Sequence, residues 1–357
     1  MPVNISKFNI IEENRQPQPI GSKSTSIPVD TLLTPKKPII QTNDEIFFLA
    51  PRLVEKSWGG LSAKKFDYTD DETKKYGISV LINGSRMNYS YLKEEDDKNS
   101  SFFDFYECNR KYFDNCNIDE YPLCVNMVDT NQHLPVKIHP YRRVTQTQPN
   151  GVKEKIIYVV STEPKTDFVY GITTNNMEEI KKFIANERYG RLLNRKRIKK
   201  GDVIYVPAGT LYGYRKSCTV IEIENNLDSV FTFYNYDGEV TDTESVIETK
   251  DALNSIFLPF NENIIPKISK FGKLNTHLFN VKIINTILYF GKYEFNDARW
   301  LQCVVVSGKA LLNWKYHIKK GDIFVLNSDT KSMFLLGKIK IIVSYLPIIK
   351  GKQQKQA

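Results

Sequence analysis

Short apolar runs bounded by polar turns recur along the chain from Glu45 to about residue 347. The runs of the first half include YPLCVNMVD, VKIHP, KIIYVVS and FVYGI, and the pattern restarts near Lys270 with HLFNVKIINTI, ILYFGKYEF and WLQCVVVSGKALLNW. Runs of this length that are rich in Val, Ile, Tyr and Phe are typical of β-strands. The pattern therefore predicts a mainly β protein.

Two segments of the N-terminal half break this pattern and predict helical insertions, at about 93–120 and 177–196. The first mixes charged and aromatic residues, which favours a helix followed by a loop. In the second, Ile180, Phe183 and Ile184 recur at the spacing of an amphipathic helix.

An eight-residue pattern occurs twice, about 120 residues apart. Ile198–Tyr205 (IKKGDVIY) and Ile318–Val325 (IKKGDIFV) each place a Gly-Asp turn before an apolar strand. Glycine supplies the positive φ of such a turn, and the aspartate side chain can cap the loop. The repeat predicts two related barrels of the cupin (jelly-roll) type.

The predicted domain organisation follows from these patterns. Residues 1–40 are polar, contain several prolines and show no sustained period, so we expect an extended or flexible arm. Residues 41–255 form the predicted N-terminal cupin domain and 256–347 the C-terminal one, with a basic tail at 348–357.

Composition and charge limit the possible partners. The chain has 357 residues, a formal net charge of +9 and five cysteines without a Cys-x-x-Cys pair. It lacks an apolar run of about 18 residues and the features of a secretory signal. We therefore expect a cytoplasmic protein that does not bind membranes. Because the basic residues are dispersed and no nucleic-acid motif accompanies them, we expect no nucleic-acid partner.

Several motifs in sequence order resemble those of the class I mannose-6-phosphate isomerases. Pro51–Gly60 (PRLVEKSWGG) is similar to the family's opening P-x-x-x-E-K-x-W-G-G, and Val136–Pro140 (VKIHP) to I-Q-V-H-P. Lys153–Val159 is similar to K-T-E-x-W-Y, Pro207–Thr210 to P-A-G-T, and Glu222–Asp228 to E-I-Q-Q-N-S-D. The resemblance extends from about residue 45 to 347 and implies the cupin fold of these zinc-dependent cytoplasmic enzymes.

The resemblance also implies which positions would hold the zinc ion. The family's ligands are the Gln and His of Q-V-H-P, the Glu of K-T-E and the His of P-A-G-T-x-H. Here these positions carry Lys137, His139, Lys155 and Tyr212. Catalytic zinc uses three protein ligands and an open fourth position, and an ammonium group repels a dication. We therefore expect no cofactor at this site.

Two further positions differ from the family. The family's F-P-L is similar to Tyr121–Leu123 (YPL) here, and its lysine in the strand that follows corresponds to Asn126. Its arginine in the Y-R-V-Y-D strand corresponds to Thr232. Isomerisation of an aldose needs a base and an electrophile that stabilises the enediolate. The favoured interpretation is an inactive isomerase homologue without catalytic residues, which has a structural or assembly role or senses a sugar phosphate.

Other interpretations remain open. An active zinc-dependent mannose-6-phosphate isomerase with unusual ligands would use His139 and Glu154, one residue from the lost glutamate position. Alternatively, Lys137, His139, Lys155, Tyr212 and Glu222 could bind a sugar phosphate or another anion. In a third interpretation a salt bridge from the lysines to Glu154, Glu222 or Glu224 fills the pocket. We also expect self-association or a protein partner through the N-terminal arm.

Overall fold

The computed structural model describes residues 45–93, 100–145, 151–236, 249–260, 272–286 and 290–348. The predicted N-terminal arm and almost all of the basic tail lie outside this part. No helix within the described residues is long and apolar enough to cross a membrane.

The described chain is built mainly from strands, as the sequence predicts. Numbered along the chain, they are β1 (Ile46–Ala50), β2 (Arg52–Gly60), β3 (Tyr76–Ile82), β4 (Tyr91–Leu92), β5 (Leu123–Thr130), β6 (Val136–Ile138), β7 (Lys155–Thr162), β8 (Asp167–Ile172), β9 (Leu193–Arg197), β10 (Val203–Val206), β11 (Leu211–Tyr214), β12 (Cys218–Asn225), β13 (Phe231–Tyr234), β14 (Lys273–Asn275), β15 (Asn280–Asn285), β16 (Phe290–Glu294), β17 (Leu301–Leu312), β18 (Tyr316–Lys319), β19 (Ile323–Leu326) and β20 (Ser332–Tyr345).

The helices are short and lie mostly in the N-terminal half. They are α1 (Ser62–Lys65), α2 (Phe102–Cys108), α3 (Met177–Ala185), α4 (Tyr189–Leu192) and α5 (Thr249–Asn254), with a 3₁₀ helix at Arg110–Phe113. In the second predicted insertion the chain is helical only to Leu192. From Leu193 it forms β9, because these residues pair with β8.

Two antiparallel sheets form the first barrel. One has the strand order β10-β7-β12-β5-β2-β3 and the other β13-β6-β11-β8-β9. Apolar residues of both sheets meet between them, among them Ile157, Val220 and Phe168. The helices α3, α4 and α5 contribute to a separate apolar cluster with the outer side of the second sheet.

The second barrel is formed by one nine-stranded sheet in which the long strands β17 and β20 pair with each other and with most of the others. Its interior is apolar, with Cys303, Phe324 and Met333 fully buried. The first strand of the described chain, β1, pairs with β19 and so lies in this sheet and not in the first barrel. These two barrels and the helices confirm the predicted mainly β, two-cupin fold.

The repeated Gly-Asp turn has the same geometry in both barrels. Gly201 and Gly321 both have φ of 92°, where an L side chain is strained. The backbone N–H of Lys199 donates to Asp202 Oδ2 at 2.9 Å, and that of Lys319 donates to Asp322 Oδ2 at 2.7 Å. The glycine and the aspartate therefore have the roles that the sequence pattern predicts.

Candidate functional site

Polar side chains occupy one end of the interior of the first barrel. On β12, Glu222 lies opposite Asn126 of β5, and Glu224 lies between Cys124 of β5 and Lys155 of β7. Side chains two residues apart on a strand share a face, so these residues point to the same side of the sheet. Farther along the same strands that face is apolar, with Val128, Ile157 and Val220.

Lys155 is the centre of this polar end. Its side chain is buried, and Nζ lies 2.7 Å from Glu222 Oε1 and 3.1 Å from Glu224 Oε2. The first contact is a hydrogen bond, whereas the second is an ion pair without hydrogen-bond alignment. Nζ also donates to the hydroxyl of Tyr212 at 3.3 Å. Three oxygen atoms thus surround one ammonium group.

A second ion pair completes the charge balance. Lys153 Nζ lies 2.8 Å from Glu224 Oε1, and the thiol of Cys124 contacts the same oxygen at 3.8 Å. Two lysines and two glutamates therefore form a group without net charge, which we call the lysine–glutamate cluster (Lys153, Lys155, Glu222 and Glu224). A buried charge is tolerated when it is paired in this way.

His139 extends the cluster by a chain of hydrogen bonds. Its Nδ1 lies 2.8 Å from the carbonyl oxygen of Ser229, so Nδ1 carries the proton and donates. Nε2 then accepts from the hydroxyl of Tyr212 at 2.9 Å. The chain runs from the Lys155 ammonium through the Tyr212 hydroxyl to a neutral imidazole.

Electrostatics keep each of these groups in one protonation state. Burial, together with Lys153 and Lys155, lowers the pKa of His139 well below its ordinary value. Burial alone would lower the pKa of Lys155, but Glu222 and Glu224 raise it well above the usual range. Burial also raises the pKa of Tyr212. At neutral pH the site therefore contains an ammonium ion, a phenol and a neutral imidazole.

The predicted site residues are brought together only in part. His139, Lys155, Tyr212 and Glu222 converge at the cluster. Lys137 lies opposite Tyr212 on one side and Thr232 on the other, so its partly exposed side chain starts on the same face of the second sheet as Tyr212.

Asn126 lies opposite Glu222, and its buried Oδ1 accepts no hydrogen bond from the residues that the structure describes.

Glu154 points away from the cluster. Its Oε1 accepts from the hydroxyl of Tyr205 at 2.8 Å, and its Oε2 accepts from the backbone N–H of His277 at 3.2 Å. Tyr205 belongs to the apolar cluster on the other side of the sheet. Because successive side chains of a strand point to opposite faces, Glu154 lies on the other side of the sheet from His139. The two side chains therefore do not come together as ligands of one metal ion.

These residues do not fit a catalytic zinc ion. Lys155 remains protonated and so has no free lone pair, and Tyr212 remains a phenol, which binds a metal far more weakly than a phenolate. Within the described residues, no three side chains of His, Cys, Asp or Glu form a group that could hold a metal ion. These side chains therefore give no basis for a reaction step that depends on a metal ion.

Tyr214 is a functional neighbour that sequence reasoning missed. Its hydroxyl donates to Glu222 Oε1, and burial beside that carboxylate raises the pKa of Tyr214 well above its ordinary value. Strand alternation could have predicted it from the sequence, because Tyr214 lies two residues after Tyr212 on β11 and so points to the same face.

Comparison with known proteins gives consistent results. No protein-family model matches the chain. Mannose-6-phosphate isomerase ManA of Bacillus subtilis is 25% identical over 324 residues, which cover 85% of this chain and 100% of the relative. Mannose-6-phosphate isomerase of Streptococcus mutans is 24% identical over 314 residues, 84% of this chain and 98% of the relative.

The solved structures agree with this assignment of the fold. The crystal structure of mannose 6-phosphate isomerase from Bacillus subtilis has a TM-score of 0.69 and 25% identity, and the match covers 85% of this chain and 100% of that one. A variant of phosphomannose isomerase from Salmonella typhimurium matches with a TM-score of 0.68 at 12% identity, again over 85% of this chain and 100% of the other. The resemblance found in the sequence motifs is confirmed.

Proposed function

Since this chain is a divergent mannose-6-phosphate isomerase-like protein with two cupin barrels, we propose that it does not catalyse the isomerisation and uses the fold in a structural or assembly role. The observation that carries the proposal is the position of Lys155 Nζ, between Glu222, Glu224 and Tyr212. The ammonium group and its partners fill the end of the barrel where the resemblance locates a metal.

The chemistry of the reaction supports this proposal. Interconversion of mannose 6-phosphate and fructose 6-phosphate moves a proton between two neighbouring carbons, and the enediolate needs a nearby positive charge. The charge of Lys155 is already neutralised by two carboxylates, and Thr232 stands where the resemblance expects an arginine. Loss of one electrophilic group commonly costs about 10²–10³ in rate.

A closed cluster also favours a structural role over binding of a sugar phosphate. To contact a phosphate, Lys155 would have to leave Glu222 and Glu224 and expose two carboxylates to the anion. Like charges at such a distance repel, so a phosphate is disfavoured at this position.

The first experiment measures bound metal and turnover in the same preparation. We expect substoichiometric zinc by elemental analysis and no turnover in a coupled assay with mannose 6-phosphate and added zinc. ManA of Bacillus subtilis serves as the positive control. Near-stoichiometric metal with chelator-sensitive turnover would refute the proposal. Loss of that turnover in Glu154→Gln would then identify the alternative ligand pair of Glu154 and His139.

A second experiment separates the structural role from sugar-phosphate sensing. We expect no saturable thermal shift with mannose 6-phosphate or fructose 6-phosphate at millimolar concentration. A saturable shift would establish ligand binding and would favour a sensing role instead.

We further propose that residues 1–40, which lie outside the described part, mediate self-association or contact with a protein partner. Light scattering on the full chain and on a chain lacking these residues tests this. The proposal predicts that the oligomer depends on the arm, and an unchanged oligomer would count against self-association.

A further inference from the structure

The outer face of the second barrel carries three lysines in one row across three strands. Lys309 of β17 lies opposite Lys319 of β18 on one side and Lys338 of β20 on the other, and all three are exposed. Neighbouring strands are about 4.8 Å apart, so the outer two lysines are roughly 10 Å apart. Like charges directly opposite each other destabilise a sheet.

A second row, two residues along the same strands, is largely apolar. Leu311 lies between His317 and Leu336, and Leu336 in turn lies opposite Phe290 of β16. Because residues i and i+2 point to the same face, this row lies beside the lysine row at a distance of about 7 Å.

Exposed aromatic side chains continue this row. Phe290 is 62% exposed and Trp314 is 64% exposed. Both rings contact Phe334, with centroid distances of 5.1 Å for Phe290 and 4.5 Å for Trp314. Contiguous exposed aromatic and aliphatic side chains mark interaction surfaces, and tryptophan is enriched among the residues that dominate binding energy.

The two rows meet in a groove of about 1160 Å³. Its lining carries Lys93, the three lysines and His317, together with apolar residues that include Phe48, Leu311 and Leu336. Asp322 is the one carboxylate in the described lining, and Asp67 lies 3.3 Å from Lys319, with both side chains exposed. Exposed pairs of this kind contribute little free energy, so Lys319 can exchange Asp67 for another carboxylate at small cost.

We propose that this basic–apolar face of the second barrel (Lys309, Lys319, Lys338, Leu311, Leu336 and Trp314) binds an acidic polypeptide segment that carries apolar side chains. Acidic groups of the segment lie over the lysine row, and its apolar side chains lie over Leu311 and Leu336. The complementary charge guides association, and burial of the apolar row supplies most of the affinity.

The shape and composition of the face favour a polypeptide over other polyanions. A groove encloses a chain segment better than it fits a flat membrane surface. The apolar residues that line the groove are mainly aliphatic, and the rings of Phe290 and Trp314 already pack on Phe334. Sites for single-stranded nucleic acids instead offer successive aromatic faces on which bases stack. The proposal is independent of whether the first barrel is catalytic.

The test measures fluorescence anisotropy of a short fluorescein-labelled peptide in which Glu and Asp alternate with Leu and Phe. Control probes are a peptide with Ser in place of the apolar residues, labelled oligo-dT, and vesicles of anionic phospholipid. Each is titrated with the full chain at low and at physiological salt. The charge-reversal variant is Lys309→Glu/Lys338→Glu, and the matched control is Lys199→Glu/Lys200→Glu, which changes the net charge equally at the exposed turn of the first barrel.

We expect the acidic–apolar peptide to bind most tightly, and the charge-reversal variant to raise its Kd at least about tenfold while the matched control changes it less than about twofold. Trp314→Ala should raise the Kd without changing the salt dependence.

Equal binding of the Ser-containing peptide, equal loss of affinity in both lysine variants, or tighter binding of oligo-dT or vesicles would overturn the proposal. So would the absence of saturable binding to the acidic–apolar peptide at low salt.

Discussion

Lys155 is stable in the interior of a barrel because its charge is matched locally. The ammonium has Glu222 and Glu224 within 3.1 Å, and Lys153 balances the second negative charge. Replacement of a buried ion pair by apolar residues can be neutral, whereas removal of one partner leaves an unpaired buried charge. We therefore expect the protein to lose less stability when a lysine and a glutamate of the lysine–glutamate cluster are replaced together than when one of them is replaced alone.

The variant Lys155→Met tests this dependence. We expect it to lower the free energy of unfolding by about 3–5 kcal/mol, since Glu222 loses its cation. Urea titration followed by circular dichroism measures the change. Lys155→Met/Glu222→Gln should recover part of the loss, and Lys199→Met, at an exposed turn, should change stability by less than about 0.5 kcal/mol. A loss below about 1 kcal/mol for Lys155→Met would contradict this account.

The buried imidazole of His139 makes stability depend on pH. Its pKa is lowered in the folded state, so below the ordinary value of about 6.5 the unfolded chain binds a proton that the folded chain excludes. Stability should therefore fall as pH decreases from about 6.5 to 5, by up to about 1.4 kcal/mol per pH unit. Urea titrations across this range compare the chain with His139→Gln. The variant should lack this component, and equal slopes in both proteins would argue against a buried neutral histidine.

At the scale of elements, β7 and the residues before it determine the chemistry of the first barrel. Lys153 and Lys155 point into the cluster, whereas Glu154 between them points to Tyr205 on the other side. Because successive side chains of a strand point to opposite faces, a substitution at Lys155 changes the charge inside the first barrel without disturbing the apolar cluster on the other side of the sheet. The position of Lys155 thus controls the net charge of the barrel end.

The variant Lys137→Gln/Lys155→Glu/Tyr212→His should gain affinity for zinc. With three carboxylates and one ammonium, the altered cluster carries two net negative charges, which one Zn²⁺ balances. We expect stoichiometric zinc by elemental analysis and a rise in Tm on addition of zinc. Adding His139→Ala to the variant should abolish both effects. Absence of binding would show that this barrel end no longer has the geometry that the resemblance implies.

On the scale of the whole molecule, one buried cluster connects the two barrels. It contains Val125 and Ile223 of the first sheet together with Val304 and Ile342 of the second barrel. Tyr121 belongs to this cluster and is fully buried. Its hydroxyl donates to Gln302 Oε1 at 2.9 Å and accepts from Trp300 Nε1 at 2.7 Å. We therefore expect the two barrels to unfold together.

Removal of the Tyr121 hydroxyl tests this coupling. Tyr121→Phe leaves two buried polar groups unpaired and should lower the free energy of unfolding by about 1–3 kcal/mol. Tryptophan fluorescence and far-UV circular dichroism should report one transition with the same midpoint, and the variant should shift both equally. Two separate transitions in the unmodified chain would show that the barrels are independent.

The sequence pattern predicts local structure better than it predicts which distant segments pair or which faces are exposed. The Gly-Asp turns and the strand-rich barrels follow from turn chemistry and alternation, which depend on neighbouring residues, whereas the place of Tyr212 is implied by the family resemblance. Pairing of β1 with β19 involves residues about 275 positions apart, so no local pattern carries it. The exposure of Trp314 and Phe290 also cannot be predicted from periodicity, because the pattern of a strand does not show whether a face of the sheet is covered by other residues or open to solvent.

The pairing of β1 with a strand near the end of the chain matters while the protein is being synthesised. A ribosome synthesises Ile46–Ala50 before the other strands of the described chain. One partner, β4 (Tyr91–Leu92), follows soon afterwards, whereas the other, Ile323–Leu326, is among the last segments to emerge. During translation the edge of β1 that pairs with β19 and the side chain of Ile46, which packs inside the second barrel, lack their partners until almost the whole remaining chain has been made. A nascent chain is open to aggregation over this period, and loop closure across it is slow. The topology therefore leaves one edge of β1 open to pairing with other chains for most of translation.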